Sequence, residues 1–371
     1  MKKQKAADDH AAICSLIADM AADEAAKSVR SKNRRTATLV AKDSLFASQL
    51  EIATRDAFSD ASSRIPFKPY TPKKKLKTDR VLNLLWSDLH FHSLLDPREV
   101  PIPYGPVEEA RRLAALCVQA AEYKRDHRDS TSLVINIAGD IIQNQLHDPR
   151  DGAPLAEQYS AALYLLVQAI GFLATEFKKV DVYCTPGNHG RNTARHHDRA
   201  MHQKWDSIEN MLYFSIKVAL SHVKNVVVNC DYKPYYIYSN FGMNTLVTHG
   251  DTVIKPGYPG SNIDVSGIRK QINEFNASRD DKVGLFCVGH VHVGSLVHLP
   301  NKTSFMSNGA LIPIDPYAQS VGVFNTTCGQ QMWESVPGRL VGDSRFVIVD
   351  EETDKDKSLD KIIRPFLGFH V

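Results

Sequence analysis

Asp88 and His90, Asp140, Asn188 and His189, His249, and finally His290 and His292 occur at five separated places in a chain of 371 residues. All are side chains that bind metal ions through oxygen or nitrogen, and none is a thiol. Setting His189 aside, the two aspartates, one asparagine and four histidines make seven donors, more than one tetrahedral shell holds. Mixed oxygen and nitrogen donors suit manganese, iron, zinc or a similar divalent ion better than a soft thiolate site does. Seven are enough for two ions sharing a carboxylate, the roughly 3.5–4 Å arrangement that grips both the attacking and the leaving oxygen of a displacement at phosphorus.

The spacing predicts the elements that deliver these side chains. Asp88 and His90 follow the apolar run "VLNLLW", and Asp140 follows "TSLVINIAG". Asn188 and His189 follow "VDVYCTPG", His249 and Asp251 lie at and just beyond the end of "NTLVTH", and His290 and His292 follow "GLFCVG". Runs of this length and β-branched content read as buried strands. Between them, Gly105 to Arg128, Leu155 to Lys179 and the stretch "RAMHQKWDSIENMLYFSIKVALSH" have helical periodicity and are expected to cover a core. The order βαβαβα, then mostly β, predicts an α/β fold in which two sheets form a β-sandwich flanked by helices. A lone aspartate after a strand is usually a turn former, and a lone buried histidine a satisfied core residue. Five strand ends delivering donors in order point instead to one rim where loops converge.

Composition limits what surrounds this rim. With 43% hydrophobic and 23% charged residues the chain can bury a sizeable core. Its six cysteines are far apart with no CxxC pair, which favours reduced buried thiols over disulfides or a thiolate zinc site. No apolar run is expected to reach the roughly 18 residues of a membrane helix. The N-terminal "MKKQKAADDHAAICSLIADM" interrupts its apolar stretch with aspartates, so the expectation is a cytoplasmic protein with no membrane partner. Residues 1–80 hold 17 Lys/Arg against 10 Asp/Glu, a net +7, although the whole chain carries only +3. Residues 1–64 are read as a basic, helical extension and 65–80 as a Pro/Lys-rich linker. Residues 81–350 form the catalytic domain and 351–371 a tail. The basic front is either a solvated arm or a module that touches nucleic-acid phosphates. A homo-oligomer is compatible with the chain, and no protein partner is legible.

"DLH", "GD", "GNH", "TH" and "GHVH" together resemble the ordered blocks of the calcineurin-like metallophosphoesterase superfamily, over about Val81 to Asn308. "TPGNHGR" and "NGALIPIDPYA" are similar to phage-encoded phosphoesterases described as DNA exonucleases, which would place the protein in a host cytoplasm. The resemblance implies an αββα fold and one divalent ion, manganese first with iron, zinc or magnesium as alternatives, held by Asp88, His90, Asp140 and His292. It implies a second ion held by Asp140, Asn188, His249 and His290, with Asp140 bridging and a water or hydroxide between the ions as nucleophile. His189, adjoining a ligand, is the expected general acid or electrostatic stabiliser. Arg191 is either a phosphate clamp or a surface arginine, and His147, in "QLHDP", could reach the rim from the loop after Asp140. Many relatives carry an acidic residue after the "GD" pair and another directly after "NH"; this chain has "GDIIQN" and "GNHG". The function implied is hydrolysis of phosphodiesters by a DNA nuclease of exonuclease type. The alternatives are a phosphatase or small-molecule phosphodiesterase, and a nucleic-acid-binding or assembly protein with a vestigial metal core.

Overall fold

The computed structural model describes residues 80–96, 98–100, 104–127, 130–144, 152–192, 204–257, 263–320 and 327–350. The expected extension at 1–64, all of the linker but Arg80, the tail at 351–371 and His147 lie outside the described residues.

The first sheet is built by alternation. Strands β1 (Val81–Trp86), β2 (Ser132–Ile137), β3 (Lys179–Cys184) and β4 (Val226–Asn229) run parallel and neighbour one another in that order. Between them come α1 (Pro106–Asp126), α2 (Leu155–Glu176) and α3 (Ile208–Ala219). β1 and β2 are near-continuously apolar because parallel strands are covered on both faces. α1 starts at a proline, with Glu108 and Glu109 in its first turn and Lys124 and Arg125 in its last, the charge order a helix dipole favours. α3 begins only at Ile208, capped by the Ser207 side chain, which accepts from Glu209 N. The helix expected from Arg199 onward is therefore shorter, since Lys204 to Ser207 form turns.

The chain then lays down the second sheet, in the order β5 (Tyr235–Asn240), β6 (Met243–Thr248), β7 (Val283–Val288), β9 (Ser304–Ser307), β8 (Ser295–His298). It returns to the far edge of the first sheet as β10 (Gly329–Ser335), antiparallel to β1, and β11 (Ser344–Ile348). The sheets pack face to face: Leu85, Val134 and Trp333 from the first meet Tyr236, Tyr238, Val247, Leu285, Cys287 and Met306 from the second. Helix α4 (Val265–Ala277), capped by Asp264, lays Ile268 and Ile272 on the outer face of the second sheet against Leu246, Phe286, Val288 and Phe305. The result is the expected two-sheet sandwich flanked by helices. Helix α4 and strand β10 were not anticipated; α4 interrupts a segment read as mostly β, and "GQQMWES" has no apolar period.

Two further expectations meet the structure. Cys117, Cys184, Cys230, Cys287 and Cys328 are free and buried, as reduced thiols. The expectation that no run approaches membrane-spanning length is corrected by α2, which is long and apolar enough by length and composition. Its most apolar window is 72% buried within the fold, because α2 lies between α1 and α3 and packs on β3.

Candidate metal centre

The carboxyl ends of β1, β2, β3, β6 and β7 converge, and their loops are stitched together before any side chain is considered. Asp88 N donates to Gly139 O at 3.0 Å, His90 N to Asp140 O at 3.1 Å and Gly289 N to His249 O at 2.9 Å. The glycines of the sequence blocks permit this approach. A Cβ on Gly139 would lie 2.3 Å from Gly187 N, one on Gly187 2.0 Å from Asp140 Oδ1, and one on Gly289 2.6 Å from Asp88 Oδ2. Eleven described non-glycine residues have positive φ, and five of them are Asp88, His90, Asp140, His290 and His292. Left-handed backbone costs a non-glycine residue about 1 kcal/mol or more, and its concentration at one rim marks a functional site. His290 and His292 lie just beyond a strand end. β7 ends at Val288, so the pair is presented by a turn in which Val291 is buried, not by a pleat.

The donors form three overlapping groups: Asp88, His90 and His292; His90, Asp140 and His189; and Asp140, His249 and His290. Asp88 Oδ1 lies 3.4 Å from His292 Nε2, and both its carboxylate oxygens accept from His290 N, at 3.1 and 3.0 Å. His249 Nδ1 is 2.7 Å from the Ala138 carbonyl, which can only accept, so Nδ1 carries a proton and donates. Its Nε2 faces Asp140 Oδ2 at 3.1 Å and Asn188 Oδ1 at 3.0 Å. The oxygens turned toward this nitrogen need a cation among them, a proton on the ring in the metal-free protein or a metal ion in its place. His90 makes the same point differently: it is 2% exposed and neither ring nitrogen has a hydrogen-bond partner. An orphaned buried imidazole is costly unless something coordinates it. The donor set therefore fits divalent ions.

Electrostatics separates the rings. Burial, with His189 and His292 behind it, pushes His90 down to about 3, so the ring is neutral at neutral pH and one nitrogen keeps an open lone pair. Burial and His249 push His290 down to about 4. Burial also opposes a charge on His249, but Asp140 outweighs it and raises the ring to about 10. Burial would raise the Asp88 and Asp140 carboxyls. The facing histidines, His292 for the one and His249 for the other, instead hold them below the usual range.

The expected residues Asp88, His90, Asp140, Asn188, His189, His249, His290 and His292 thus come together. His189 Nδ1 is 2.7 Å from Gln143 O, which fixes the proton on Nδ1 and leaves Nε2 4.0 Å from Asp140 Oδ2. A main-chain carbonyl from the "GDIIQN" loop orients this ring. Arg191 is buried near Asp140. Several supporting groups had no sequence signal. Glu209, in the first turn of α3, accepts from Ile141 N at 2.6 Å and Gly187 N at 2.7 Å, and so holds the loops after β2 and β3 together. Burial and Asp140 raise its carboxyl to about 7. Ser87 donates to Asp88 Oδ2, while Asn308 Nδ2 donates to Ser87 Oγ at 3.0 Å and to Gln330 Oε1 at 2.7 Å. Glu109 on α1 accepts from His92 N at 2.7 Å and pairs with its Nδ1 at 2.8 Å.

No family model matches the chain, and no curated protein does. Among solved structures, a dimetal phosphatase from Danio rerio is 12% identical, with 72% of this chain and 99% of that one covered and a TM-score of 0.36. A Vps29 single mutant from Entamoeba histolytica is 13% identical, covering 72% and 98%, with a TM-score of 0.29. The phosphopantetheinyl hydrolase of Mycobacterium tuberculosis is 12% identical, covering 63% and 91%, with a TM-score of 0.27. With scores this low, the site's chemistry rests on its own side-chain geometry.

Proposed function

We propose that this chain is a dinuclear metal-dependent phosphoesterase that hydrolyses phosphodiester bonds, with DNA as substrate and an exonuclease type of action. The observation that carries the reading is the convergence of two donor clusters joined through Asp140 and His90. Asp88, His90, Asp140 and His292 would hold one ion, and Asp140, Asn188, His249 and His290 the other. Two divalent ions there supply positive charge for the phosphate oxygens and lower the pKa of bound water. The chain's own residues do the rest. His189, its tautomer fixed by Gln143 O, presents Nε2 toward the clusters and, once charged, holds a proton there for the leaving oxygen. Arg191 offers a planar fork to a phosphate. What supports a polynucleotide substrate is the net +7 of residues 1–80 and the likeness of "TPGNHGR" and "NGALIPIDPYA" to phage phosphoesterases.

The test is purification with manganese, metal analysis, and incubation with linear and circular, single- and double-stranded DNA beside mononucleotide esters and a chromogenic phosphodiester. Metal-dependent release of nucleotides from linear DNA, abolished by Asp140→Ala, is expected. Turnover of small esters alone would move the assignment to a phosphatase or small-molecule phosphodiesterase. Metal loading without any turnover would leave a binding protein.

A further inference from the structure

Two cations and one carboxylate stand beside the clusters and belong to neither. Arg191, two residues after His189, is 8% exposed, and its Nε has no hydrogen-bond partner. Lys204 is 5% exposed, and its Nζ lies 2.6 Å from Asp251 Oδ2. Asp251, two residues after His249, is 8% exposed, and its other oxygen is without a partner. Main-chain pairing locates the two cations: Arg191 forms an isolated bridge with Ser207, three residues after Lys204. Their backbones are held rigidly. Asn144 Nδ2 donates to Arg191 O at 3.0 Å, and Asn210 Nδ2 to Lys204 O at 2.6 Å.

A strap between two loops needs one charge of each sign. Here Lys204 and Asp251 pair with each other, whereas Arg191 has no ion-pair partner among the described residues, and burying a charge is costly unless something compensates it. The surplus is one positive charge on the flank of the centre, with an unused guanidinium N–H and a fork suited to phosphate. We propose that Arg191 and Lys204 form a subsite for a second phosphate of the substrate, beside the one being cleaved, with Asp251 as the counter-charge that keeps Lys204 in place when the subsite is empty. The substrate class is then a nucleotide bearing phosphates on both sides of its sugar, as every internal nucleotide of a polynucleotide does. This rests on the phosphoesterase reading above and narrows it.

The experiment is calorimetric titration of the manganese-loaded full chain with thymidine 3′,5′-bisphosphate and with each thymidine monophosphate, beside turnover assays. The bisphosphate is expected to bind about tenfold or more tighter than either monophosphate, the range for charge-assisted hydrogen bonds. Arg191→Met and Lys204→Met should each cut that ratio about tenfold, and Arg191→Lys or Lys204→Arg should restore part of it. Asp251→Asn should raise the ratio, because it frees Lys204. A strap would give the opposite pattern, with Asp251→Asn and Lys204→Met falling together in melting temperature and leaving the ratio alone; that result overturns the proposal. If Lys204→Met does not fold, Arg191→Met and Asp251→Asn still decide the sign. Equal affinities in an enzyme that cleaves phosphoesters would remove the subsite and leave the function standing. A ratio that depends on Arg191 in a protein with no turnover would do the reverse.

Discussion

His249 and His90 occupy matching places in the two clusters and are held in opposite ways. Both are at most 2% exposed. His249 is tied at Nδ1 to the Ala138 carbonyl and faces Asp140, and its ring is raised to about 10. His90 is tied by neither nitrogen, faces His189 and His292, and is pushed to about 3. Burial alone would push both rings down, so the charges around them set the difference. One cluster is preorganised around a ring that prefers a positive charge, and the other offers a bare neutral donor.

Asp140→Ala would break the comparison most completely, since this carboxylate belongs to both ion sites proposed above. Metal content should fall from about two ions to less than one, with turnover lost; mass spectrometry for metals and a chromogenic diester assay read both. Next comes Glu209→Ala, which strips an acceptor from Ile141 N and Gly187 N. Each orphaned amide costs about 1–3 kcal/mol, so the melting temperature should drop by several degrees. Manganese affinity on the Asp140 and His249 side should fall about 10–100-fold. Asn308→Ala acts on the opposite half through Ser87 and Asp88. An expected weakening of about tenfold at the Asp88, His90 and His292 site, leaving the His249 site tighter, would appear in stepwise manganese titration.

The comparison also predicts a pH dependence. Because the folded metal-free protein holds His249 at about 10 against an ordinary 6.5, its charged form contributes stability that is fully present below pH 6.5 and lost as pH rises toward 10. Melting of the metal-free protein should therefore decline across that window. Saturating manganese should remove the decline, because a bound cation takes the proton's place; an unchanged slope would sink this account of the ring.

Much of the centre was legible in the chain because each donor sits just past an apolar run, and strands of the first sheet read as long buried segments. The supports were not. Glu209 is an ordinary acidic residue in the first turn of a helix until two loops bring their amides to it. Gln330 and Asn308 are polar residues of no evident pattern until they meet at 2.7 Å behind Asp88. Strand β10 escaped for the same reason: its glutamines are buried by hydrogen bonds with Asn308, Ser87 and neighbouring carbonyls, which no periodicity announces. Helix α4 buries only Ile268 and Ile272 among its thirteen residues, a stripe too narrow to stand out.

By itself the sequence determined the alternation of strands and helices, the type of each donor and its place at a strand end, because those follow from local patterning of apolar and polar residues. Only the tertiary structure decided which donors meet, that left-handed backbone at Asp88, His90, Asp140, His290 and His292 aims them, and that two equally buried histidines differ so widely in proton affinity. The physical reason is range. Secondary structure answers to neighbours a few residues away, whereas the field at an imidazole is set by charges a hundred residues distant in sequence and a few ångströms away in space.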